Sequence, residues 1–266
     1  MTTVQQFEDV GVELDGHIAL VEIQKPPHNY FSIELIDALA DAYEMLANET
    51  DARVIVLAAQ GRSFCAGAQL GRPSDPHAEP PAPGNKDGRR HLYTAALRMF
   101  AAPLPVVGAI QGAAIGGGLG LALTPDFRVA TPEAYFTSNF ARLGFHQGFG
   151  LTETLQAIVG QQVAWRMMMT GERVYGDDAL KVGLADALAP AEQLRDRSFE
   201  FAGEIAKSAP LSVRTMRATL RRGLVDRVRL ATVQESFEQD WIRQMNDFRE
   251  GVRATAERRD PVFTGT

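Results

Sequence analysis

Two stretches of this 266-residue sequence set glycines between an apolar, strand-like run and a helix-like segment. After residues 53–59 (RVIVLAA) comes Ser63-Phe64-Cys65-Ala66-Gly67-Ala68-Gln69-Leu70. After residues 105–110 (PVVGAI) comes Gly112-Ala113-Ala114-Ile115-Gly116-Gly117-Gly118-Leu119-Gly120. The first N–H groups of a helix have no partner within it and lie at its positive dipole end. Two of them, brought together from neighbouring strand ends, can hold one oxygen anion, and glycine lets a ligand come close to the backbone. The same glycines also serve tight turns and close helix–sheet packing, and spacing alone leaves both readings open.

Other chemistry is set aside on sequence grounds. No G-x-G-x-x-G or G-x-x-x-x-G-K-[ST] pattern occurs to cradle a nucleotide. Gly61-Arg62-Ser63-Phe64-Cys65 misses the nucleophile elbow by its last glycine. Histidines 17, 28, 77, 91 and 146 lack metal-ligand spacing, so no metal site is expected. With 27 Lys and Arg against 33 Asp and Glu, the net charge is 27 − 33 = −6, which gives no basic field for nucleic acid or anionic membrane. The single cysteine, Cys65, cannot form an internal disulfide and fits a reducing, cytoplasmic setting. It reads as a small buried residue rather than a nucleophile. The acidic N-terminus does not read as a signal peptide, and no apolar run is long enough for a membrane span.

The elements that must position the glycine junctions follow from periodicity. Val12, Leu14, Ile18, Leu20 and Ile23 alternate around Asp15-Gly16 as in a hairpin. From Ser32, a capping residue, Leu35, Ile36, Leu39, Tyr43 and Leu46 recur at helical spacing. The runs at 53–59 and 105–110 read as strands buried on both faces, residues 112–123 as helical, and 127–130 as a further strand. Residues 71–90 hold five of the fourteen prolines and read as a long loop, either a lid or an insertion. From about Gln161 the chain is mostly helical, and Phe237, Trp241, Met245, Phe248 and Val252 mark one long C-terminal helix. The layout is an α/β core followed by a helical region.

Four segments, in order, resemble the crotonase (enoyl-CoA hydratase/isomerase) superfamily: SFCAGAQL, PVVGAIQGAAIGGGLGLAL, MTGERVYGDDALKVGLADAL and FREGVRATAERRDPVF. The resemblance spans about residues 18–263. It implies an α/β, crotonase (ClpP-like) spiral of ββα units over residues 1–200, with a helical, trimerising region over 201–266. It further implies homotrimers or dimers of trimers that bind an acyl-CoA thioester, with no cofactor beyond the CoA moiety. The thioester oxygen would be held by the N–H groups of Ala68 and Gly117. Ala66, Gly67, Gln69, Leu70, Gly118 and Phe140 would line the substrate.

The departures from the family pattern bear on the reaction. The two hydratase glutamates fall, by position, on Gly120 and on Phe140 or its neighbour Asn139, and the carboxylate of other branches falls on Gly148. None of these is acidic. Residues 140–153 retain His146 and Glu153. An unperturbed imidazole exchanges protons near neutral pH, so His146 is the first candidate base, unless it merely packs in its loop. Glu153 stands at a helix start, where the dipole favours a carboxylate. Tyr93 and His91 lie in the segment that closes over acyl groups in the family, and a tyrosine hydroxyl can donate to an intermediate. Phe140, beside Phe136, Phe145 and Phe149, forms either an aromatic acyl pocket or ordinary core. Arg214, Arg217, Arg221, Arg258 and Arg259 meet either CoA phosphates or surface acids. The expectation is an isomerase, hydrolase or ring-cleaving enzyme, with a non-catalytic acyl-CoA carrier as the rival.

Overall fold

The computed structural model describes residues 1–69 and 92–266. The expected loop at 71–90, together with Leu70 and His91, lies outside the described residues.

Strands β1 (Thr2–Phe7), β2 (Val10–Asp15) and β3 (Ile18–Ile23) form an antiparallel meander, with Gly16 turning the expected hairpin at φ +57°. Helix α1 (Ile33–Glu49) begins where Ser32 accepts the Leu35 N–H at 3.3 Å, and it buries Leu35, Ile36, Leu39, Tyr43 and Leu46. Strand β4 (Val54–Ala59) is buried throughout and runs parallel to β3. Helix α2 (Leu92–Ala101) returns the chain to a repeating unit of strand, short strand and helix. One unit is β5 (Val106–Ile110), β6 (Ala114–Ile115) and α3 (Gly117–Ala122). The next is β7 (Phe127–Ala130), β8 (Tyr135–Thr137), a 3-10 turn (Asn139–Leu143) and α4 (Leu151–Val159). Strand β4 belongs to the same series, because Cys65 beyond it bridges in parallel to Ala114 of β6.

Helix α5 (Gln161–Thr170) leads to β9 (Val174–Tyr175), α6 (Gly176–Lys181) and β10 (Ala187–Leu188). The larger sheet has the order β1-β2-β3-β4-β5-β7-β10, and the smaller one β6-β8-β9. Helix α7 (Leu194–Ala206) covers one face, over Leu20, Val54, Val56, Val107 and Val129. The opposite face, including Ile55 and Leu57, packs with α1 and α2 in the main core. That division explains why the β4 run is apolar at every position rather than alternating. Helices α8 (Pro210–Leu220), α9 (Leu224–Ile242) and α10 (Asn246–Glu257) complete the chain.

Two expectations change. Residues 112–123 hold a short strand before their helix, because Ala114 and Ile115 pair with Phe136 and Thr137. The long C-terminal helix is two helices, α9 and α10; Phe248 and Val252 are buried, whereas Phe237 and Trp241 are exposed. Helix α7 spans residue 200, the expected boundary of the helical region. Arg217 and Arg221 of α8 both bind Asp126, at 2.8 and 3.0 Å, and Asp126 also accepts the Val106 N–H. These two arginines tie α8 to the start of β5.

Candidate active site

The two glycine junctions meet because they end neighbouring units of the spiral. Cys65 donates its N–H to Ala113 and accepts the Ile115 N–H, at 3.1 and 3.0 Å, so the chains beyond them run side by side. Gly67 has φ +79°, and a Cβ there would lie 2.7 Å from the Ile115 carbonyl oxygen and 3.6 Å from the Gly117 nitrogen. Only glycine combines that conformation with so close an approach. Gly118 lies directly against the Cys65 carbonyl, which likewise leaves no room for a side chain. A strap from the β3–α1 connection fixes the first junction. The Ala66 N–H donates to His28, Phe31 donates to the Gly67 carbonyl, and the buried Asn29 amide donates to the carbonyls of Gln60 and Ser63. Gly117 opens α3, and among the described residues neither its N–H nor that of Ala68 is bonded to another backbone carbonyl. Ala68 and Gln69 are exposed, while Gly67, Gly117 and Gly118 are buried. Burial pushes the Cys65 thiol up to about 12, which keeps it protonated.

Aromatic groups occupy the ground beside this junction. The Phe31 ring lies on Gly117. A Cβ at Gly120 would come 2.6 Å from Phe149 Cβ, and the Phe31 and Phe149 rings are 5.9 Å apart. The half-buried Phe140 faces Gly116, and the series continues to Phe145 at 6.4 Å and from there to Phe248 at 4.6 Å. Phe136, by contrast, is core, paired with Ala114 and Val174. Phe149 is held at φ +62°, a conformation that costs a non-glycine residue about 1–3 kcal/mol and persists only where the surroundings enforce it.

The enforcing groups come from α9. The fully buried Glu235 accepts the N–H groups of Gly150 and Thr152 at 2.8 and 3.0 Å, capping α4. One turn on, Gln239 donates to the carbonyls of His146 and Gln147 at 3.0 and 3.1 Å and accepts the Tyr93 hydroxyl at 3.0 Å. Tyr93 also meets the Phe149 N–H, and its hydroxyl stands on Gly148. Burial raises the Tyr93 hydroxyl well above its ordinary range, with the Glu235 charge adding to the effect, so it stays a phenol. Burial raises the Glu235 carboxyl as well, opposed by its bonds to Thr152 and Gly150 and by the nearby His146.

The expected site residues thus divide. The strand pairing brings Ala66, Gly67, Ala68, Gly117 and Gly118 together, and Phe140 joins them through Gly116. His146 lies half-buried, with Nδ1 2.9 Å from the Gln147 carbonyl. A carbonyl only accepts, so Nδ1 carries the proton and Nε2 is the basic nitrogen. Glu153 is engaged with Arg227 of α9 at 2.5 Å, and Tyr93 gives its proton to Gln239. Sequence reasoning missed Phe31, Glu235 and Gln239. The signal for the last two was a polar residue every fourth position on α9, which reads equally as a solvated face. Among the described residues, no three His, Cys, Asp or Glu side chains cluster to hold a metal, and no helix is long and apolar enough to cross a membrane.

A spiral of ββα units whose successive turns bring two glycine-bearing strand ends together is the crotonase fold. The enoyl-CoA hydratase/isomerase family model matches residues 13–266, and the chain belongs to that family. It is 32% identical over 259 residues to a putative enoyl-CoA hydratase of Thermus thermophilus, covering 93% of this chain and 98% of that one. It is 30% identical over 258 residues to the (E)-benzylidenesuccinyl-CoA hydratase of Thauera aromatica, covering 96% and 99%. Among solved structures, an enoyl-CoA hydratase/isomerase from Pseudoalteromonas atlantica superposes with a TM-score of 0.83 at 26% identity, over 97% of this chain and 100% of that one.

Proposed function

We propose that the protein binds an acyl-CoA and holds the thioester oxygen, as enolate or tetrahedral oxyanion, with the N–H groups of Ala68 and Gly117. The observation that carries this reading is the meeting of the two junctions, where a Cβ at Gly67 would stand 3.6 Å from the Gly117 nitrogen. Preorganised donors of this kind stabilise charge that develops only during reaction. The positions assigned to the family's acids are filled differently: Phe149 crowds Gly120, the Tyr93 phenol stands on Gly148, and Phe140 is a hydrocarbon. This favours isomerase, hydrolase or ring-cleaving chemistry over hydration by paired glutamates. In an isomerisation, His146 Nε2 takes a proton from carbon next to the thioester, the electron pair moves to the thioester oxygen, and the proton returns at another carbon. Gln239 holds the His146 carbonyl at 3.0 Å and so positions that base. Glu153 and Tyr93, each already engaged, are the reserve candidates.

We further place the protein in the cytoplasm, as a homotrimer or dimer of trimers with no cofactor beyond CoA. The free, buried Cys65 suits a reducing compartment. The exposed apolar stripe Leu230, Val233, Phe237 and Trp241 on α9 suits a covering subunit.

The test is turnover on a panel of enoyl-, dienoyl- and cyclic β-ketoacyl-CoA thioesters, with His146→Ala alongside. A general base contributes ~10²–10⁴-fold, and His146→Ala should lose about that factor in kcat. A loss under about threefold removes His146 from the reaction. Tight binding with no chemical change on any substrate favours the carrier.

A further inference from the structure

Helix α9 and its C-cap carry three polar side chains at four-residue intervals beside the site loop: Glu235, Gln239 and Arg243. The first two are saturated by the backbone of residues 146–152. The third is not. The Arg243 guanidinium lies 5.0 Å from the centre of the Phe145 ring and 5.7 Å from that of Phe248, and its Nε is buried with no hydrogen-bond partner. The acidic groups that face it are Asp240, one turn back on its own helix, and the Tyr93 hydroxyl, which is protonated. Among the described residues Asp240 forms no ion pair with it.

A guanidinium has five donors and no acceptor, and its charge persists at any pH the protein meets. Contact with two rings satisfies part of that charge but not the buried Nε–H. A buried donor left unpaired is expensive, so an arginine kept in this setting points to an acceptor that arrives with a ligand. Its place is informative. The ring series runs from Phe140, which faces Gly116 beside the Gly117 N–H, through Phe145 to Arg243. Ring contacts thus link the cation, through Phe145 and Phe140, to the glycine junction.

Resting on the acyl-CoA reading above, we infer that Arg243 recognises a carboxylate carried by the acyl group, so that the preferred ligand is the monothioester of a dicarboxylic acid. The planar guanidinium fork matches a carboxylate in two parallel bonds, whereas the rings on either side favour the hydrocarbon spacer over water. A phosphate of the CoA moiety offers similar acceptors, and the experiment separates the two sources.

The binding of saturated thioesters of matched chain length, freshly prepared and checked for intact thioester after each run, is measured by titration calorimetry: succinyl- against butyryl-CoA, glutaryl- against valeryl-CoA, and adipoyl- against hexanoyl-CoA. At one length or more, the parent protein should prefer the carboxylate-bearing member by about 10- to 100-fold, the range for a hydrogen-bonded charge pair. Arg243→Gln should abolish that preference while changing the affinity for the neutral member less than about threefold. Arg243→Lys, which keeps the charge but not the fork, should retain part of the preference; it also serves if the glutamine variant fails to fold, as judged by near-ultraviolet circular dichroism. Equal weakening of both members in either variant assigns Arg243 to the CoA phosphates and overturns the inference. A parent protein without preference at any length overturns it too. Failure of every thioester to bind the parent refutes the acyl-CoA reading itself, a result distinct from neutral members binding without discrimination.

Discussion

Replacing Glu235 tests how the site loop is held. Its carboxylate accepts the N–H groups of Gly150, which is buried, and Thr152, which is half-buried. Glu235→Ala leaves both donors without an acceptor. An unpaired buried donor costs about 1–3 kcal/mol, and the partly wet Thr152 falls at the low end of that range. Loss of a negative charge at the start of α4 removes up to about 1–2 kcal/mol more. Relief from burying a carboxylate offsets part of this, so we expect a net destabilisation of about 2–4 kcal/mol, a large share of the ~5–15 kcal/mol that holds a typical domain. The pH dependence carries a sign. Burial raises the carboxyl above its ordinary value of 4.5 in the folded protein. Between the two values the folded state keeps a proton that the unfolded state has lost, so this contribution is complete below the ordinary value and is lost as pH rises through the raised one. Glu235→Gln cannot titrate, so the stability of the parent relative to this variant should fall as pH rises above about 4.5. Urea unfolding at constant ionic strength across pH 4 to 8 measures both effects. If Glu235→Ala unfolds within 0.5 kcal/mol of the parent, α4 is not held as described; if the parent gains on Glu235→Gln with rising pH, the N–H bonds outweigh burial and the carboxyl is not raised.

Ala68→Pro removes the first proposed oxyanion donor at an exposed position and should cost ~10²–10³-fold in kcat. Gly117→Pro should do the same, but it also drives a ring into Phe31, so its fold must be checked by sedimentation and circular dichroism first. Parent-rate turnover by a folded Ala68→Pro variant refutes that assignment. Phe237→Asp places a charge in the exposed stripe of α9 and should shift the assembly toward monomers in sedimentation velocity, while an unchanged sedimentation coefficient argues against that interface.

The parts of the fold that were legible are those fixed by local chemistry. Ser32 caps α1 through its own hydroxyl, and the 53–59 run is uniformly apolar because its two faces meet different cores. The glycine junctions were legible because adjacent backbones exclude side chains there, a constraint each glycine carries alone. The crowding at Gly120 and Gly148 was not. It depends on Phe149 adopting a positive φ and on Tyr93 arriving from α2, which no pattern in either segment announces. The single C-terminal helix was misread for a related reason. Periodicity joins Phe237 and Trp241 to Phe248 and Val252 as one apolar face, but the chain breaks near Met245, and only the second pair turns inward.

Helix α9 reverses the usual amphipathic arrangement, and that reversal links the site to the assembly. Its inward face is Val228, Thr232, Glu235 and Gln239; its outward face is Leu230, Val233, Phe237 and Trp241. Apolar burial on its own subunit comes from the start of the helix, where Val228 lies in the main core with Leu224 and Val225 packed against it. Further along, the hold comes from hydrogen bonds, each worth a net ~0.5–1.5 kcal/mol, from two side chains that also fix the loop carrying His146 and Phe149. A subunit covering the outward stripe would supply the apolar term at ~25 cal/mol per Å² that the later turns of the inner face lack. Such a cover would secure α9, and with it the strained loop that places a phenol and an aromatic ring where relatives are expected to carry acids. On this reading, the polar inner stripe is selected for the shape of the site and the apolar outer stripe for keeping the helix in place. On that reading one helix would both shape the site loop and meet a neighbouring subunit.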